Sequence, residues 1–152
     1  MSFTTPSGSR GARQPRGPVL RFVNKLAVGR VRRKGGTTMG MNVLVLRTVG
    51  RTSGEPRETP VAWFPGPDGS WVVVASAAGA PSHPSWYRNL AAHPDQVSIE
   101  VDGRTVDVTA EELHGAERDE AWAQVVAALP RFAGYQEHTD RVLPVIRLVP
   151  RA

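Results

Sequence analysis

Two rhythms of hydrophobic and polar positions run along this chain. Through the middle the period is two, or the apolar run is unbroken over a strand's length, and both patterns predict β-structure. Val43-Leu44-Val45-Leu46 is such a run and predicts a strand over Asn42–Val49 that is buried on both faces. A second strand is predicted over Glu58–Phe64, with Pro60 placed where no ladder hydrogen bond is needed. Pro65-Gly66-Pro67-Asp68-Gly69 is a turn by composition, and Trp71–Ala75 returns as a strand. Val97–Val101 and Arg104–Thr109 alternate on either side of Asp102-Gly103, a strong hairpin signal. Leu143–Val149 is the last predicted strand.

Elsewhere the period is that of a helix. Val19, Phe22, Val23 and Leu26 recur at three- and four-residue spacing, with Arg21 and Lys25 off the stripe. They predict a short basic amphipathic helix from Pro18 to about Val28, followed by a linker over Arg30–Gly36. Its apolar stripe would pack on the domain, or face a membrane or a substrate. Pro84–His93 reads as a short helix with Trp86, Leu90 and Ala91 on one face. Ala116–Leu129 reads as a longer one, with Trp122, Val125, Val126 and Leu129 inward and Glu117, Asp119 and Glu120 in its first turns. Pro130 ends it, and Phe132–Arg141 is expected to be irregular. About six short strands joined by tight turns, with no glycine-rich βαβ unit, predict a mainly β (α+β) domain. A small, mostly antiparallel barrel covered by two helices is the expected form.

Composition removes whole classes of function. The chain has 152 residues and no cysteine, so disulfides, thiolate zinc sites and iron–sulfur clusters are excluded. His83, His93, His114 and His138 show no paired metal-ligand spacing, and no metal is expected. No apolar run approaches the roughly 20 residues that span a bilayer. Met1–Pro18 lacks the apolar core of a signal peptide, so the expected compartment is the cytoplasm. The net charge of +5 is unevenly spread: residues 1–36 hold nine Lys or Arg and no acid, leaving ten basic against fourteen acidic over 37–152. The expected organisation is a disordered basic arm over 1–17, a basic helix and linker over 18–36, and a mildly acidic domain over 37–152. An acidic domain argues against nucleic acid as a partner.

Candidate chemistry concentrates in Gly50-Arg51-Thr52-Ser53-Gly54-Glu55-Pro56-Arg57, between the first two strands. Glycines let backbone approach a ligand, Thr52 and Ser53 offer hydroxyls, and Arg51 and Arg57 can fork onto phosphate or carboxylate. A plain polar hairpin turn has the same composition. Ala75–Gly79 is a strand end running into small residues, where a flat ring could lie with Ser76 at its edge. No G-x-S-x-G surrounds Ser76, which argues against a serine hydrolase. Trp86-Tyr87-Arg88-Asn89 presents an aromatic plane, a phenol, a guanidinium and an amide in one helical turn. Tyr135 and His138, three residues apart, could line a pocket and donate a proton, or simply pack a loop.

In order and spacing, these pieces resemble the deazaflavin-dependent nitroreductase family. The resemblance is carried by Gly50–Arg57 with Thr59-Pro60, by Val74-Ala75-Ser76, by His83-Pro84-Ser85-Trp86-Tyr87-Arg88-Asn89-Leu90 with His93-Pro94, and by Tyr135-Gln136 through Thr139-Asp140-Arg141 with Pro144-Val145. It implies a split β-barrel that binds coenzyme F420, a deazaflavin whose tail carries a phosphate and glutamates. Arg51, Thr52, Ser53 and Arg57 match the grip on that tail. Glu58, Thr59, Pro60, Val61 and Ala62 match contacts along the cofactor. Val74, Ala75, Ser76 and Ala77 match the segment beside the ring, and Trp86, Tyr87, Arg88, Asn89 and Leu90 the helix that closes the site. Ser76, Tyr135 and His138 are the implied catalytic residues, with Tyr135 matching a tyrosine of substrate binding or protonation. Positions 52 and 77, commonly lysine in the family, are Thr52 and Ala77 here.

The implied activity is hydride transfer from reduced F420 to an electron-poor quinone, enone or nitro compound. Two other readings remain open: an FMN-binding split-barrel oxidoreductase, and a non-catalytic module that holds cofactor or sits at a membrane through the basic helix. A homodimer is a further expectation.

Overall fold

The computed structural model describes residues 3–11, 17–34, 37–38 and 41–151; expectations for the remaining positions lie outside the described residues. In chain order the elements are α1 (Gly17–Lys34), β1 (Thr37–Thr38), β2 (Met41–Val49), β3 (Pro56–Ala62), β4 (Phe64–Pro65), β5 (Trp71–Val74), α2 (Ser85–Ala92), β6 (Val97–Val101), β7 (Arg104–Glu112), α3 (Gly115–Ala128), α4 (Arg131–His138) and β8 (Val145–Pro150). Short 3₁₀ turns occupy Pro67–Gly69 and Ala77–Gly79.

The described strands all pair antiparallel, along the path β3-β2-β6-β7-β8-β5-β4, with the short β1 paired to the start of β2. The two ends of that path, β3 and β4, are consecutive in the chain and separated only by Trp63. A sheet whose end strands are one stretch of chain has to curl, which gives the split barrel that the sequence predicts. Strand alternation also explains Pro60. The Trp63 N–H donates to the Asn42 carbonyl and the Gly50 N–H to the Glu55 carbonyl, which fixes those as hydrogen-bonded pairs. Counting along the register makes Val45–Pro60 a non-hydrogen-bonded pair, so the ring sits where no N–H is required.

Two apolar layers follow from the alternation. Leu44, Leu46, Val73, Val97, Ile99, Val108, Ile146 and Leu148 point into the barrel, where Trp86 and Leu90 of α2 join them. Val72, Val74 and Val145 point outward, under Val125 of α3 and Phe132 of α4. Val43 through Leu46 are all buried, as an apolar run with both faces covered must be.

Two expectations are corrected. Residues 132–141 are not wholly irregular: Arg131–His138 is a helix, because Phe132 and Tyr135 lie one turn apart and pack edge-on at 5.2 Å on the outer layer. The α1 helix is longer than expected, and of the two readings of its apolar stripe the structure does not show the one in which it packs on the domain. Phe22, Val23 and Leu26 are exposed, while Val28, at 2% exposure, is the inward residue and the helix lies across β3 and β2. Residues 3–11, part of the arm expected to be disordered, carry hydrogen bonds to the domain. Thr4 N–H and the Thr5 hydroxyl donate to Glu112, Gly8 N–H donates to the Pro81 carbonyl, and Ser9 and Arg10 N–H donate to Asp140.

Candidate cofactor site

The Gly50–Glu55 segment is a tight reversal between β2 and β3. Gly50 N–H donates to the Glu55 carbonyl at 2.8 Å and Gly54 N–H to the Gly50 carbonyl at 2.9 Å. Gly54 sits at φ +70°, where an L side chain is strained. A Cβ on Gly50 would stand 2.5 Å from the Ser53 hydroxyl oxygen, so any side chain there would displace that hydroxyl from its present position. The Ser53 Oγ accepts from Glu55 N–H at 3.2 Å and from Arg57 at 3.4 Å. Arg57 also lies 3.5 Å from the Glu55 carboxylate.

From the barrel side, Asn89 of α2 fixes this turn. Its Oδ1 accepts the Arg51 N–H at 3.1 Å and its Nδ2 donates to the Thr48 hydroxyl at 3.2 Å. Asn89 is therefore committed to the protein at both ends of its amide, and at 5% exposure it shapes the turn from beneath.

Around the turn lies a cavity of about 810 Å³. The hairpin contributes Gly50, Arg51, Thr52, Ser53, Pro56, Arg57, Glu58 and Thr59; β2 adds Arg47; α2 adds Ser85, Trp86 and Asn89. The far wall is α1, through Asn24, Lys25, Val28, Gly29 and Arg32. Five cations and one carboxylate line it, and that carboxylate, Glu58, lies between Arg32 at 2.5 Å and Arg47 at 3.5 Å. Arg32 also pairs with Glu100, which raises the arginine's pKa further and holds the Glu100 carboxyl below its ordinary range. The donor set suits a long polyanion: forked guanidiniums, an ammonium, four hydroxyls and a glycine-bearing turn. It fits the phosphate and glutamates of an F420 tail.

The other predicted site residues form a second group. Ser76 and Ala77 enter the 3₁₀ turn at the end of β5, and Ala77 adopts φ +45°. That turn is held from below by Arg141, which is 1% exposed and donates to the carbonyls of Ala75 at 2.8 Å, Ser76 at 2.7 Å and Ala80 at 3.0 Å. Arg141 also donates to His83 Nδ1 at 2.9 Å, while His83 Nε2 donates to the Thr5 carbonyl at 2.7 Å. His83 is thus the neutral Nε2–H tautomer, and burial lowers its pKa, as it lowers that of Arg141 to about 10. Gly79, at φ +83°, closes the turn against α4; a Cβ there would lie 2.6 Å from the Tyr135 carbonyl oxygen and 3.1 Å from His138 Cβ. Through Gly79, the α4 helix that carries Tyr135 and His138 lies against the turn that follows Ser76. His138 is exposed, and its Nδ1 donates to the Gly134 carbonyl at 2.7 Å.

The cavity unites Arg51, Thr52, Ser53, Arg57, Glu58, Thr59, Trp86 and Asn89. Pro60, Val61, Ala62, Val74, Ala75, Arg88, Ser76, Ala77, Tyr135 and His138 stand outside its lining. Leu90 is wholly buried in the barrel, and Tyr87 is 4% exposed with its hydroxyl donating to Glu112 at 2.6 Å. Sequence reasoning missed Lys25 and Arg32, which the expected helix stripe and linker left unassigned; one signal was their spacing of seven, which puts both on one face of a helix running past Gly29.

A curled antiparallel barrel with a cationic cleft at one hairpin defines a class: split-barrel proteins with a site suited to an anionic ligand. Comparison with known proteins narrows it. Residues 20–150 match the family described as F420H(2)-dependent quinone reductase. An F420H(2)-dependent quinone reductase of Mycobacterium tuberculosis is 37% identical over 112 residues, 71% of this chain and 73% of that protein. A solved F420-H2 dependent reductase is 39% identical with a TM-score of 0.63, over 70% of this chain and 92% of the other. A structure described as a domain-swapped dimer is 36% identical with a TM-score of 0.64, over 87% and 99%. The chain belongs to the F420H(2)-dependent quinone reductase family. It is an F420-dependent reductase, and the FMN and non-catalytic readings give way. Among the described residues no helix is long and apolar enough to cross a membrane.

Proposed function

We propose that this chain reduces an electron-poor small molecule, a quinone first among the quinone, enone and nitro classes, using reduced F420. Bound F420 supplies a hydride from ring carbon C5. The protein's contribution is to bind, orient and exclude water. Arg51 and Arg57, with the Thr52 and Ser53 hydroxyls, grip the phosphate and glutamates. Thr59 through Ala62 and Val74 through Ala77 flank the rest of the cofactor, and Trp86 bounds the cavity on the α2 side. Tyr135, His138 or solvent provides the proton that completes reduction, with Ser76 at the reactive edge.

The observation that carries this reading is the cationic cavity around the Gly50–Glu55 turn, in a chain of this family. The experiment is loss of reduced-F420 absorbance in the presence of a quinone, an enone or a nitroarene, compared with Arg57→Ala. Turnover is expected with the quinone, and weaker F420 retention by the variant. Wild-type protein that binds F420 but turns over no acceptor would overturn the catalytic reading.

A second reading concerns surroundings. Phe22, Val23 and Leu26 leave α1 with an exposed apolar face beside basic residues, which suits contact with a membrane surface where apolar quinones dissolve. Co-sedimentation with anionic vesicles, lost on Phe22→Ser with Leu26→Ser, tests it; no sedimentation of the wild type removes it. The domain-swapped relative supports a homodimer, which light scattering in solution checks.

A further inference from the structure

The cations of the cavity come from separate elements. Arg51 and Arg57 belong to the hairpin, Arg47 to β2, and Lys25 and Arg32 to α1. Lys25 and Arg32 are seven residues apart, two helical turns, so both reach the same wall. Among the described residues the Lys25 ammonium has no ion pair, whereas Arg32 is fully engaged. Its Nη2 lies 2.5 Å from Glu58 and 2.5 Å from Glu100, and its Nε donates to Glu100 at 3.1 Å. Glu58 is the one acid that lines the cavity. Without a cation over it, it would repel any polyanion that entered.

We propose that α1 is the second wall of the tail site: Lys25 is a tail-binding cation, and Arg32 is a positioning residue that clips α1 to β3 and β6 while masking Glu58. The inference rests on the proposed reading that the F420 tail occupies this cavity. It adds that the tail is held between a hairpin and a helix, so that cofactor binding and α1 docking support each other.

The test is equilibrium binding by fluorescence to the full chain, with F420 and with the tail-less deazaflavin chromophore that lacks phosphate and glutamates. Lys25→Gln should weaken F420 binding roughly two- to fivefold, the range for one exposed cation, and leave the tail-less ligand unchanged. Arg32→Gln should weaken F420 binding similarly, and Arg32→Gln combined with Glu58→Gln should recover most of the loss. A merely structural role for Arg32 would give no such rescue. Lys25→Gln binding F420 like the wild type overturns the tail role, and absence of rescue overturns the masking role. Wild-type protein that binds both ligands equally overturns the cavity reading itself, and this inference with it.

Discussion

Asn89 and Arg51 are 38 positions apart and joined through backbone: the Asn89 side-chain oxygen accepts the Arg51 N–H at 3.1 Å, while the same amide donates to Thr48. A helix that caps the barrel thereby sets the shape of the turn proposed to meet the cofactor tail. Asn89→Ala strips a partner from the Arg51 N–H and from the buried Thr48 hydroxyl. A buried hydrogen-bonding group left unpaired costs about 1–3 kcal/mol. The expected result is a lower melting temperature together with weaker F420 binding, read by calorimetry and by fluorescence titration. Asn89→Asp keeps the acceptor for Arg51, so it should retain more affinity than the alanine variant.

Tyr87 separates structure from ligand contact. Its hydroxyl donates to Glu112 at 2.6 Å, its ring meets Phe3 edge-on at 5.5 Å, and burial pushes its pKa up. Tyr87→Phe should destabilise the fold by about 1–3 kcal/mol and leave F420 affinity unchanged. Affinity falling in step with that substitution would put the phenol back among the cofactor contacts.

His83 gives stability a pH dependence. Burial lowers its pKa from the ordinary 6.5, with Arg141 and Arg88 acting in the same direction and the Thr5 carbonyl and Glu112 against. A depressed folded pKa means that the unfolded chain takes up the proton first, so stability rises with pH through this window. The contribution is complete above about pH 6.5 and is lost as pH falls below it toward the folded value. Protonation would also place an N–H on Nδ1, facing Arg141. Protection of the residue 3–11 amides, taken relative to their intrinsic exchange rates, should therefore fall from pH 7.5 to 5.5, and His83→Gln should flatten that change.

Gly79 couples the turn beside Ser76 to α4. Any Cβ meets the Tyr135 carbonyl oxygen at 2.6 Å, and φ +83° is strained for an L side chain. Gly79→Ala should destabilise by about 1–3 kcal/mol and slow turnover more than it weakens F420 binding. A separate measurement of kcat and cofactor affinity checks the split.

Much of this fold is legible as pattern. Val43–Leu46 could only be a strand with both faces covered, and Asp102-Gly103 between alternating runs could only be a tight hairpin. Those signals are local, since period and turn chemistry act over a few residues. Phe132–His138 was not legible, because Gly134 and short length hide a helix whose hold comes from an outer layer assembled by distant strands. The direction of α1 was hidden for the same reason. Its most apolar stripe, Phe22, Val23 and Leu26, faces outward, while a lone Val28 faces in, because β3 presents a charged and half-open surface rather than an apolar one.

By itself, then, the sequence determined the barrel's strands and its family, and it marked the hairpin Gly50–Arg57 as a candidate place for anions, since each is written in spacing and residue type. Only the tertiary structure decided which side chains share that place. It spends Asn89 on backbone and Leu90 on the core, and hands Tyr87 to Glu112. It also brings Lys25 and Arg32 across from a helix that the chain builds before its first long strand. The physical reason is that burial and ion pairing are settled between elements far apart in sequence, where no local period reports them.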